Sequence, residues 1–576
     1  MQNSINNRFF ILFSHYVVLS FVFFLTLPTL AQAPNPGGER NLDRFPQPGT
    51  IPEPLPSLDE PFLQPTPTPE VLPTEPSESI RVEKILVTGS TIFTSETLNP
   101  IINSVEGRSV TLAELREVAD AITQLYLDNN YITSRAILVD QKIINGVVEI
   151  RVIEGSIEKI EIQGTERLNP EYVRSRVALG VGQPLSTNKL EDQLRLVQTD
   201  PLLTNLEASL RPGSGIGKSI LILRTKEANA FNAVFSVDNY SPPSIGSERL
   251  GISATYRNLT GIGDEIAASY YRTVQGGSNI YDLNYRVPLN AMNGSLQLRT
   301  SINNNQIIQG SDAVRSLDIS GESQLYEISY RQPLVRSLRE EFALSLGFTI
   351  QNGQTFTFAG ATPFGLGPDA DGNSRTRVIK FGQDYVRRDV QGAWALRSLF
   401  SLGIGVFDAT VNDNPIPDGR FFSWFGQIQR VQRLNLDNLL IAQAEIQLTP
   451  NALLPSQQFV VGGGQSVRGY RQNARAADNG VRFFVENRIT VQRDAAGDST
   501  LQIAPFFDLA YVWNTDDNPN LLQRQNFLAG LGMGILYQPL KNLDIRLDYA
   551  LPLINLDDRG TNAQDDGFHF SVSYRL

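Results

Sequence analysis

Residues 462–470, GGGQSVRGY, place one arginine, Arg468, on a glycine-rich segment that also carries Val467, Gly469 and Tyr470. Glycine reaches backbone conformations that other residues avoid, so this segment can fold back into a confined space. A guanidinium in such a space needs a carboxylate partner, and its planar fork favours a partner that accepts two hydrogen bonds. The segment therefore predicts an ion pair, with an exposed glycine-rich loop that has no partner as the alternative.

A candidate partner is Asp508 in the segment PFFDLAYVW, residues 505–513. Every second residue of this segment is apolar or aromatic and forms one face: Phe507, Leu509, Tyr511 and Trp513. Because side chains alternate across a strand, Asp508 falls on the opposite face with Phe506 and Ala510. If the apolar face meets lipid, Asp508 points into the interior of a barrel, where it can pair with Arg468.

The chain offers few other side chains for catalysis or metal binding. Its 576 residues include no cysteine and two histidines, His15 and His569. His569 lies on the polar face of the last predicted strand, and no serine or aspartate can be associated with it from the sequence. We therefore expect no enzymatic activity, no metal and no cofactor. The net charge of −11 argues weakly against nucleic acid as a partner, and no phosphate-binding loop indicates a nucleotide.

The N-terminus predicts export and a flexible connection. Arg8, an apolar run and then Ala-Gln-Ala are typical of a secretory signal peptide over residues 1–33, with a membrane anchor as the alternative. Residues 34–79 are rich in proline, which predicts a linker of polyproline II and coil. An exported chain without cysteine cannot rely on disulfides, so its stability must come from a core or from barrel closure.

Two similar modules follow the linker. The segments VEKILVTG at 82–89 and IEKIEIQG at 157–164 share the pattern E-K-I-x-(V/I)-x-G. After each one, the sequence predicts two helices and then two strands, the first helix pair including a capping box at Thr111 and Glu114. Two β-α-α-β-β modules over residues 80–155 and 156–227 are the interpretation, and a chance likeness of two short strands is the alternative.

Residues 228–576 alternate between apolar and polar side chains at period two. The last strand shows this clearly, with Phe568, Phe570, Val572, Tyr574 and Leu576 on one face. Such alternation with an aromatic outer face is typical of a transmembrane β-barrel, and the length allows roughly 16 antiparallel strands. A water-soluble β-sandwich is the alternative.

A second internal pattern, Tyr-x-x-Pro-Leu, ends three of the alternating runs. It begins at Tyr285, Tyr330 and Tyr549. Tyrosine suits the interface between membrane and water, and proline is tolerated where no ladder hydrogen bond is needed. We therefore expect the three prolines to begin turns at strand ends.

The segment VRGY, preceded by LLPSQQFVVGGGQS, resembles the signature of the TpsB transporters of two-partner secretion, which include haemolysin activators and filamentous-haemagglutinin transporters. FFDLA at 506–510 resembles their second signature, F-x-D-x-G, with Ala510 in place of glycine. The stretch LYLDNNYITSRAILVDQKIINGVVEIRVIEG resembles the end of a first POTRA domain. The likeness covers about residues 80–576.

This resemblance implies two α+β POTRA domains in the periplasm, followed by a barrel of about 16 strands in the outer membrane. It implies a lock between the VRGY segment and the strand that carries Phe506, Asp508 and Ala510. Family members often begin with a helix that plugs the barrel, and the proline-rich linker here departs from that pattern.

The implied function is export of a large unfolded TpsA-like exoprotein, which the POTRA domains capture and the barrel conducts. The edge strand near Arg135, Ile137 and Val139 is a candidate substrate surface, because an extended chain can add to a free sheet edge. Exoprotein and outer-membrane lipid are the expected partners. A BamA-type insertase and a passive porin are the alternatives.

Overall fold

We describe the protein from a computed structural model that covers Pro52, Pro54, Leu55 and residues 79–576. The predicted signal peptide and most of the predicted linker lie outside these described residues. Within the described residues, no helix is long and apolar enough to cross a membrane.

The first module is a three-stranded sheet covered by two helices. Its elements are β1 (Ser79–Val82), β2 (Lys84–Thr88), α1 (Ser95–Ile102), β3 (Arg108–Thr111), α2 (Leu112–Asp128), β4 (Arg135–Leu138) and β5 (Val147–Ile153). The sheet has the order β2-β5-β4, and β1 pairs separately with β3, a pair that the sequence did not predict. Helix α2 begins at the predicted capping box of Thr111 and Glu114. Its apolar face, with Leu115, Ile122 and Tyr126, forms the centre of the module core.

The second module repeats this arrangement without the additional strand pair. Its elements are β6 (Ser156–Gln163), α3 (Pro170–Ala178), α4 (Thr187–Gln198), β7 (Leu203–Pro212) and β8 (Lys218–Glu227), and its sheet has the order β6-β8-β7. Asn169 caps α3 by accepting a hydrogen bond from the Glu171 N–H at 2.9 Å, and Pro170 occupies the first helical position. The core includes Val173, Leu190 and Leu221, all fully buried.

In both modules, a carboxylate accepts hydrogen bonds from the loop that follows the first strand of the sheet. Glu154, just after β5, accepts hydrogen bonds from the N–H groups of Thr91 (2.7 Å) and Ile92 (3.2 Å). Glu227, at the end of β8, accepts one from the N–H of Arg167 (2.9 Å), and further backbone donors join it. Burial acts to raise the pKa of both carboxyls, but these donors outweigh it and hold the pKa below the ordinary value.

The rest of the chain forms a closed antiparallel barrel of 16 strands, as predicted. The strands before the long inward loop are β9 (Phe231–Asp238), β10 (Arg249–Arg257), β11 (Glu265–Thr273), β12 (Ser278–Pro288), β13 (Ser295–Gln306), β14 (Ser320–Arg336), β15 (Glu340–Thr357), β17 (Asn373–Asp389), β18 (Gly392–Gly403), β19 (Phe421–Arg433) and β20 (Asn438–Leu448). After that loop come β23 (Asn479–Arg493), β24 (Ser499–Trp513), β25 (Phe527–Leu540), β26 (Leu543–Pro552) and β27 (Phe568–Arg575). Strand β27 pairs with β9 and closes the ring.

Short elements also occur in the loops between barrel strands. They are the helix α5 (Asp312–Ser316), the two-residue strand β16 (Gly360–Ala361), and the hairpin strands β21 (Phe459–Val461) and β22 (Arg475–Ala477).

The two ends of the barrel differ. At one end, here called the module end, the turn over 258–264 contacts the second module, where the Asn169 N–H donates to the Gly261 carbonyl at 2.8 Å. Leu55, within the predicted linker, is buried at this end, and its N–H donates to the Asp389 carbonyl at 3.1 Å. The opposite end, here called the far end, carries the longest loops.

The Tyr-x-x-Pro-Leu prediction holds at two of its three sites. Pro288 and Pro552 are the last residues of β12 and β26. Pro333 is different, because it lies inside β14 at a register shift and the strand continues to Arg336. The prediction of a turn there was wrong, since a bulge also removes the need for a ladder donor.

Candidate functional site

The loop over residues 449–478, here called the Arg468 loop, folds back into the barrel. Its hairpin pairs Phe459 with Ala477. Although they belong to a loop, Val467, Arg468 and Tyr470 are at most 5% exposed. Gly469 has φ +95 beside Arg468, a conformation that favours glycine over other residues. The sequence alternative of an exposed loop without a partner therefore does not describe this segment.

Arg468 and Asp508 meet inside the barrel. The guanidinium donates to both carboxylate oxygens, from Nε to Oδ2 at 2.7 Å and from Nη2 to Oδ1 at 2.7 Å. The Arg468 N–H also donates to Oδ2, at 3.0 Å. Asp508 is 0% exposed and therefore has its charge balanced within the protein, not by water. Three hydrogen bonds from one residue fix both the side chain and the backbone of the loop.

Two more carboxylates surround the same guanidinium. Nη1 donates to Glu486 Oε2 at 2.6 Å and lies 3.7 Å from Asp548 Oδ1. Phe506 stacks below, with the guanidinium carbon 3.2 Å from the ring centroid. Arg468 is thus held from three strands, because Glu486 lies on β23, Asp508 and Phe506 on β24, and Asp548 on β26.

Further arginines balance these carboxylates. Arg546 donates to Glu486 at 2.6 Å and to Asp548 at 2.7 Å. Arg488 donates to Glu486 at 2.8 Å. Three arginines therefore face three carboxylates. This matters because a buried charge without a partner is costly, whereas a balanced and hydrogen-bonded set is tolerated.

Neighbours of Arg468 in the chain fix the loop by other contacts. The Tyr470 hydroxyl lies 2.8 Å from the Ala529 carbonyl and 3.0 Å from the Ile554 carbonyl. Val467 packs in an apolar cluster with Ala510, which is fully buried. Alanine at 510 is therefore compatible with close packing of the loop.

The base of the Arg468 loop is held by a buried aspartate. Asp478 is 0% exposed, and its carboxylate accepts hydrogen bonds from the N–H groups of Leu453 (2.9 Å) and Thr515 (3.0 Å) and from the Asn518 side chain. Leu453 and Asp478 lie near opposite ends of the loop, so one carboxylate joins both ends to the β24–β25 loop.

Sequence reasoning selected Val467, Arg468, Gly469, Tyr470, Phe506, Asp508 and Ala510, and the structure brings them together. It did not select Glu486, Arg488, Arg546 and Asp548. Alternation could have indicated them as inward-facing charges, because each lies on the inward face of a strand whose apolar and polar residues alternate. Nothing in the sequence, however, distinguishes these inward charges from the many others in the barrel.

His569 borders the site without taking part in the ion pairs above. It is 1% exposed, lies opposite Asp548 on the neighbouring strand, and has its Nε2 3.4 Å from the Gly469 N–H. The paired charges around Arg468 hold the loop in the lumen.

The predicted substrate edge lies at the other end of the molecule. Strand β4 is an edge of the first sheet, since it pairs with β5 alone. Arg135 and Ile137 belong to it, opposite Ile153 and Arg151. Val139 lies just beyond the last residue of the strand.

Sequence comparison identifies two families of known domains in the chain. The sequence model of the haemolysin secretion/activation protein family ShlB/FhaC/HecB matches residues 217–537. The model of the ShlB-type POTRA domain matches residues 80–155.

Individual proteins agree with these matches. Heme/hemopexin transporter protein HuxB of Haemophilus influenzae (strain 86-028NP) is 23% identical over 486 residues, covering 82% of this chain and 83% of that protein. Outer membrane transporter CdiB of Escherichia coli is 23% identical over 431 residues, covering 72% of this chain and 70% of that protein. The solved structure of CdiB from Escherichia coli has a similar fold, with a TM-score of 0.67 and 20% identity over 89% of this chain and 94% of that chain.

These matches favour secretion over the insertase and the porin. A closed barrel, a POTRA domain, an Arg468 loop inside the lumen and a family match over more than half of the sequence lead to one conclusion. The chain belongs to the haemolysin secretion/activation family ShlB/FhaC/HecB, the TpsB outer-membrane transporters that export a partner protein by two-partner secretion.

Proposed function

We propose that the Arg468 loop is the internal lock of the export channel and that the exported chain displaces it. The observation that carries this proposal is the complete pairing of Arg468 with Asp508 and Glu486 in the lumen. A loop held in the lumen by fully buried ion pairs keeps the channel closed while no exoprotein is being exported. Separating one buried partner from the other costs about 3–5 kcal/mol, which a translocating chain can supply through contacts of its own.

In this proposal the module end of the barrel faces the periplasm and the far end faces the exterior. Asn169 of the second module is hydrogen-bonded to the barrel turn at Gly261, so the modules stand at the channel entrance. An unfolded exoprotein captured there enters the lumen directly.

Substrate capture would use the free edge of β4. The Ala136 N–H on that edge already donates to Thr123 Oγ1 at 2.9 Å. The remaining outward N–H and C=O groups offer main-chain hydrogen bonds to an extended chain, which gives tolerance to sequence. Arg135, Ile137 and Val139 would provide side-chain selectivity. No nucleotide is needed in this scheme, because folding of the exoprotein outside the cell would draw the chain outward.

The test is a strain that lacks this chain, with proteins of the culture medium and the outer membrane quantified separately. We expect one or a few very large β-rich proteins to vanish from the medium while other barrels remain. A general fall in outer-membrane barrels would instead support an insertase. An unchanged medium and membrane would contradict export by this protein.

Capture by the β4 edge needs its own experiment. Introducing proline at Leu138, whose N–H faces away from β5 as that of Ala136 does, removes a backbone donor from the edge and should reduce secretion while the barrel still assembles. The matched control is proline at Val87, whose N–H faces away from β5 on β2, at the other edge of the same sheet. Equal loss with both variants would indicate a folding defect and not a capture defect.

A further inference from the structure

The outer surface of the barrel carries two arginines on either side of a tryptophan near the module end. Arg387 on β17, Trp394 on β18 and Arg430 on β19 are direct cross-strand neighbours in one row. All three side chains lie on the face of their strands that points outward, toward lipid. Trp394 is 40% exposed, and the Arg430 guanidinium carbon lies 5.2 Å from its ring centroid.

This edge of the barrel has an excess of positive charge. Residues 336–341, 387–389 and 430–437 hold six arginines and four carboxylates. The carboxylates do not fully neutralise the two arginines of the row, Arg387 and Arg430. Arg430 contacts Gln432 and has its closest carboxylate, Asp389, at 3.5 Å, while Glu340 lies opposite Arg387. Arginine beside tryptophan at a membrane boundary suits the phosphate of a lipid headgroup.

A groove begins one row further from the module end on the same outer face. It has a volume of about 670 Å³, within the ~300–1,000 Å³ range of ligand-sized sites. Small residues, Gly426 and Ala444, form its floor, while Ile428, Ile446 and Phe483 stand around them.

The groove is almost entirely apolar. Its polar side chains include Ser398, which accepts a hydrogen bond from Trp424 Nε1 at 3.0 Å. The residues that adjoin the arginine row are aligned with it, since Leu396 and Ile428 each lie two positions along their strands from Trp394 and Arg430. A headgroup on the row and an acyl chain in the groove therefore fit one molecule.

We propose that this surface binds one glycerophospholipid of the periplasmic leaflet, with its phosphate on Arg387 and Arg430 and an acyl chain over Gly426 and Ala444. The choice of leaflet rests on the proposed orientation, in which the module end faces the periplasm. Lipopolysaccharide would meet the far end of the barrel and not this row. The site is separate from the lumen, so its occupancy does not depend on the Arg468 loop.

The test is native mass spectrometry of the full chain in mild detergent, with phosphatidylglycerol added in steps. We expect one tightly bound lipid on the unaltered protein. Arg387→Gln/Arg430→Gln should weaken binding about tenfold or more, because two charge-assisted contacts are lost. Ala444→Leu should weaken it as well by filling the groove.

Two controls keep the test specific. Arg272→Gln removes an exposed, outward-facing arginine at the far end, and Ala268→Leu enlarges an outward-facing alanine on β11 outside the groove. Neither should change lipid binding. The heat-dependent shift of the barrel on electrophoresis verifies that every variant is folded.

Three lipid-binding results would overturn the proposal. They are no retained lipid on the unaltered protein, retention by the arginine and groove variants as strong as that of the unaltered protein, or lipopolysaccharide retained in place of phospholipid. A dimer that Ala444→Leu disrupts would also overturn it, because the groove would then bind a second copy of the chain. Secretion activity is not read in this experiment, so failure here is distinguishable from failure of the proposed export function.

Discussion

Arg468 combines two roles that a single ion pair could not fill. Its guanidinium joins Asp508 to Glu486, while its own N–H bonds to Asp508. Its carbonyl approaches Gly530 so closely that an added Cβ would lie 2.0 Å from the oxygen. The site thus depends on the planar guanidinium of Arg468 and on a glycine at position 530 of the neighbouring strand.

At this scale we predict that the pair behaves as one unit. Arg468→Ala leaves Asp508 buried without its cation, which should lower barrel stability by about 3–5 kcal/mol and impair secretion. Asp508→Ala should cost less, because Glu486 still balances Arg468. The double variant should cost little more than Arg468→Ala alone. The measurements are the temperature of barrel unfolding on electrophoresis and the amount of exoprotein in the medium.

Arg299→Ala is the matched control for this experiment. Arg299 is largely buried on β13 and forms an ion pair with Asp282 of β12, whereas the carboxylates that hold Arg468 lie on β23, β24 and β26. It should affect stability without the same loss of secretion. Strictly additive effects of the Arg468 and Asp508 substitutions would mean that the two residues act separately.

Among the secondary-structure elements, the two modules hold the loop after their first sheet strand in the same way. In each, a glycine after the first sheet strand lies against the backbone of the neighbouring strand, where an added Cβ of Gly89 would be 2.3 Å from the Val152 oxygen and that of Gly164 would be 2.2 Å from the Thr225 oxygen. A carboxylate then binds the N–H groups of the following loop. The sequence repeat therefore reflects both strand pattern and loop anchoring.

We predict that Glu154 stabilises its loop in a pH-dependent way. Its pKa is lowered on folding, since hydrogen bonds from Thr91, Tyr126 and Ile92 outweigh the effect of burial. The stabilisation is therefore complete above the ordinary glutamate pKa of about 4.3 and is lost as the pH falls through the lower folded value. Hydrogen exchange at Thr91 and Ile92 should show constant protection near neutrality and a decline only in acid.

Glu154→Gln should abolish this dependence and speed exchange at Thr91 and Ile92 at neutral pH, because a carboxamide offers one acceptor oxygen and not two. Glu117→Gln, an exposed position on α2, serves as the control. If the wild-type protection declined already between neutrality and about pH 5, the assigned shift would have the wrong sign.

At the scale of the whole molecule, the far end of the barrel is bridged by loops. Asn520 of the β24–β25 loop accepts a hydrogen bond from the Leu366 N–H at 3.0 Å and donates one to its carbonyl at 3.1 Å. Leu366 belongs to the β15–β17 loop, and β15 and β24 stand six strands apart in the ring. These two hydrogen bonds therefore link distant parts of the rim.

We predict that Asn520→Ala loosens this closure and makes channel openings more frequent, about fivefold for the loss of two partly exposed hydrogen bonds. Conductance of the purified protein in planar lipid bilayers measures this. Asn304→Ala, at an exposed outward position of β13, should leave conductance unchanged. Equal conductance of the Asn520 variant and the unaltered protein would show that the bridge does not limit opening.

Features that depend on local periodicity could be predicted from the amino-acid sequence. Alternation at period two assigned the barrel and placed Asp508 on the inner face. Glycines around Arg468 indicated a loop able to fold inward, and the resemblance in VRGY and FFDLA selected the pair. Periodicity is local because each side chain's direction follows from that of its neighbour in the strand.

The identity of the inward charges that meet could not be predicted in this way, because it depends on how the strands pair. Glu486 and Asp548 are separated by 62 positions in the chain, yet both reach Arg468 because strand register and barrel closure bring β23, β24 and β26 around one point in the lumen. The same holds for the row of Arg387, Trp394 and Arg430 on the outer surface. Register is a property of strand pairs, set by many contacts at once, and the alternation of one strand carries no record of it.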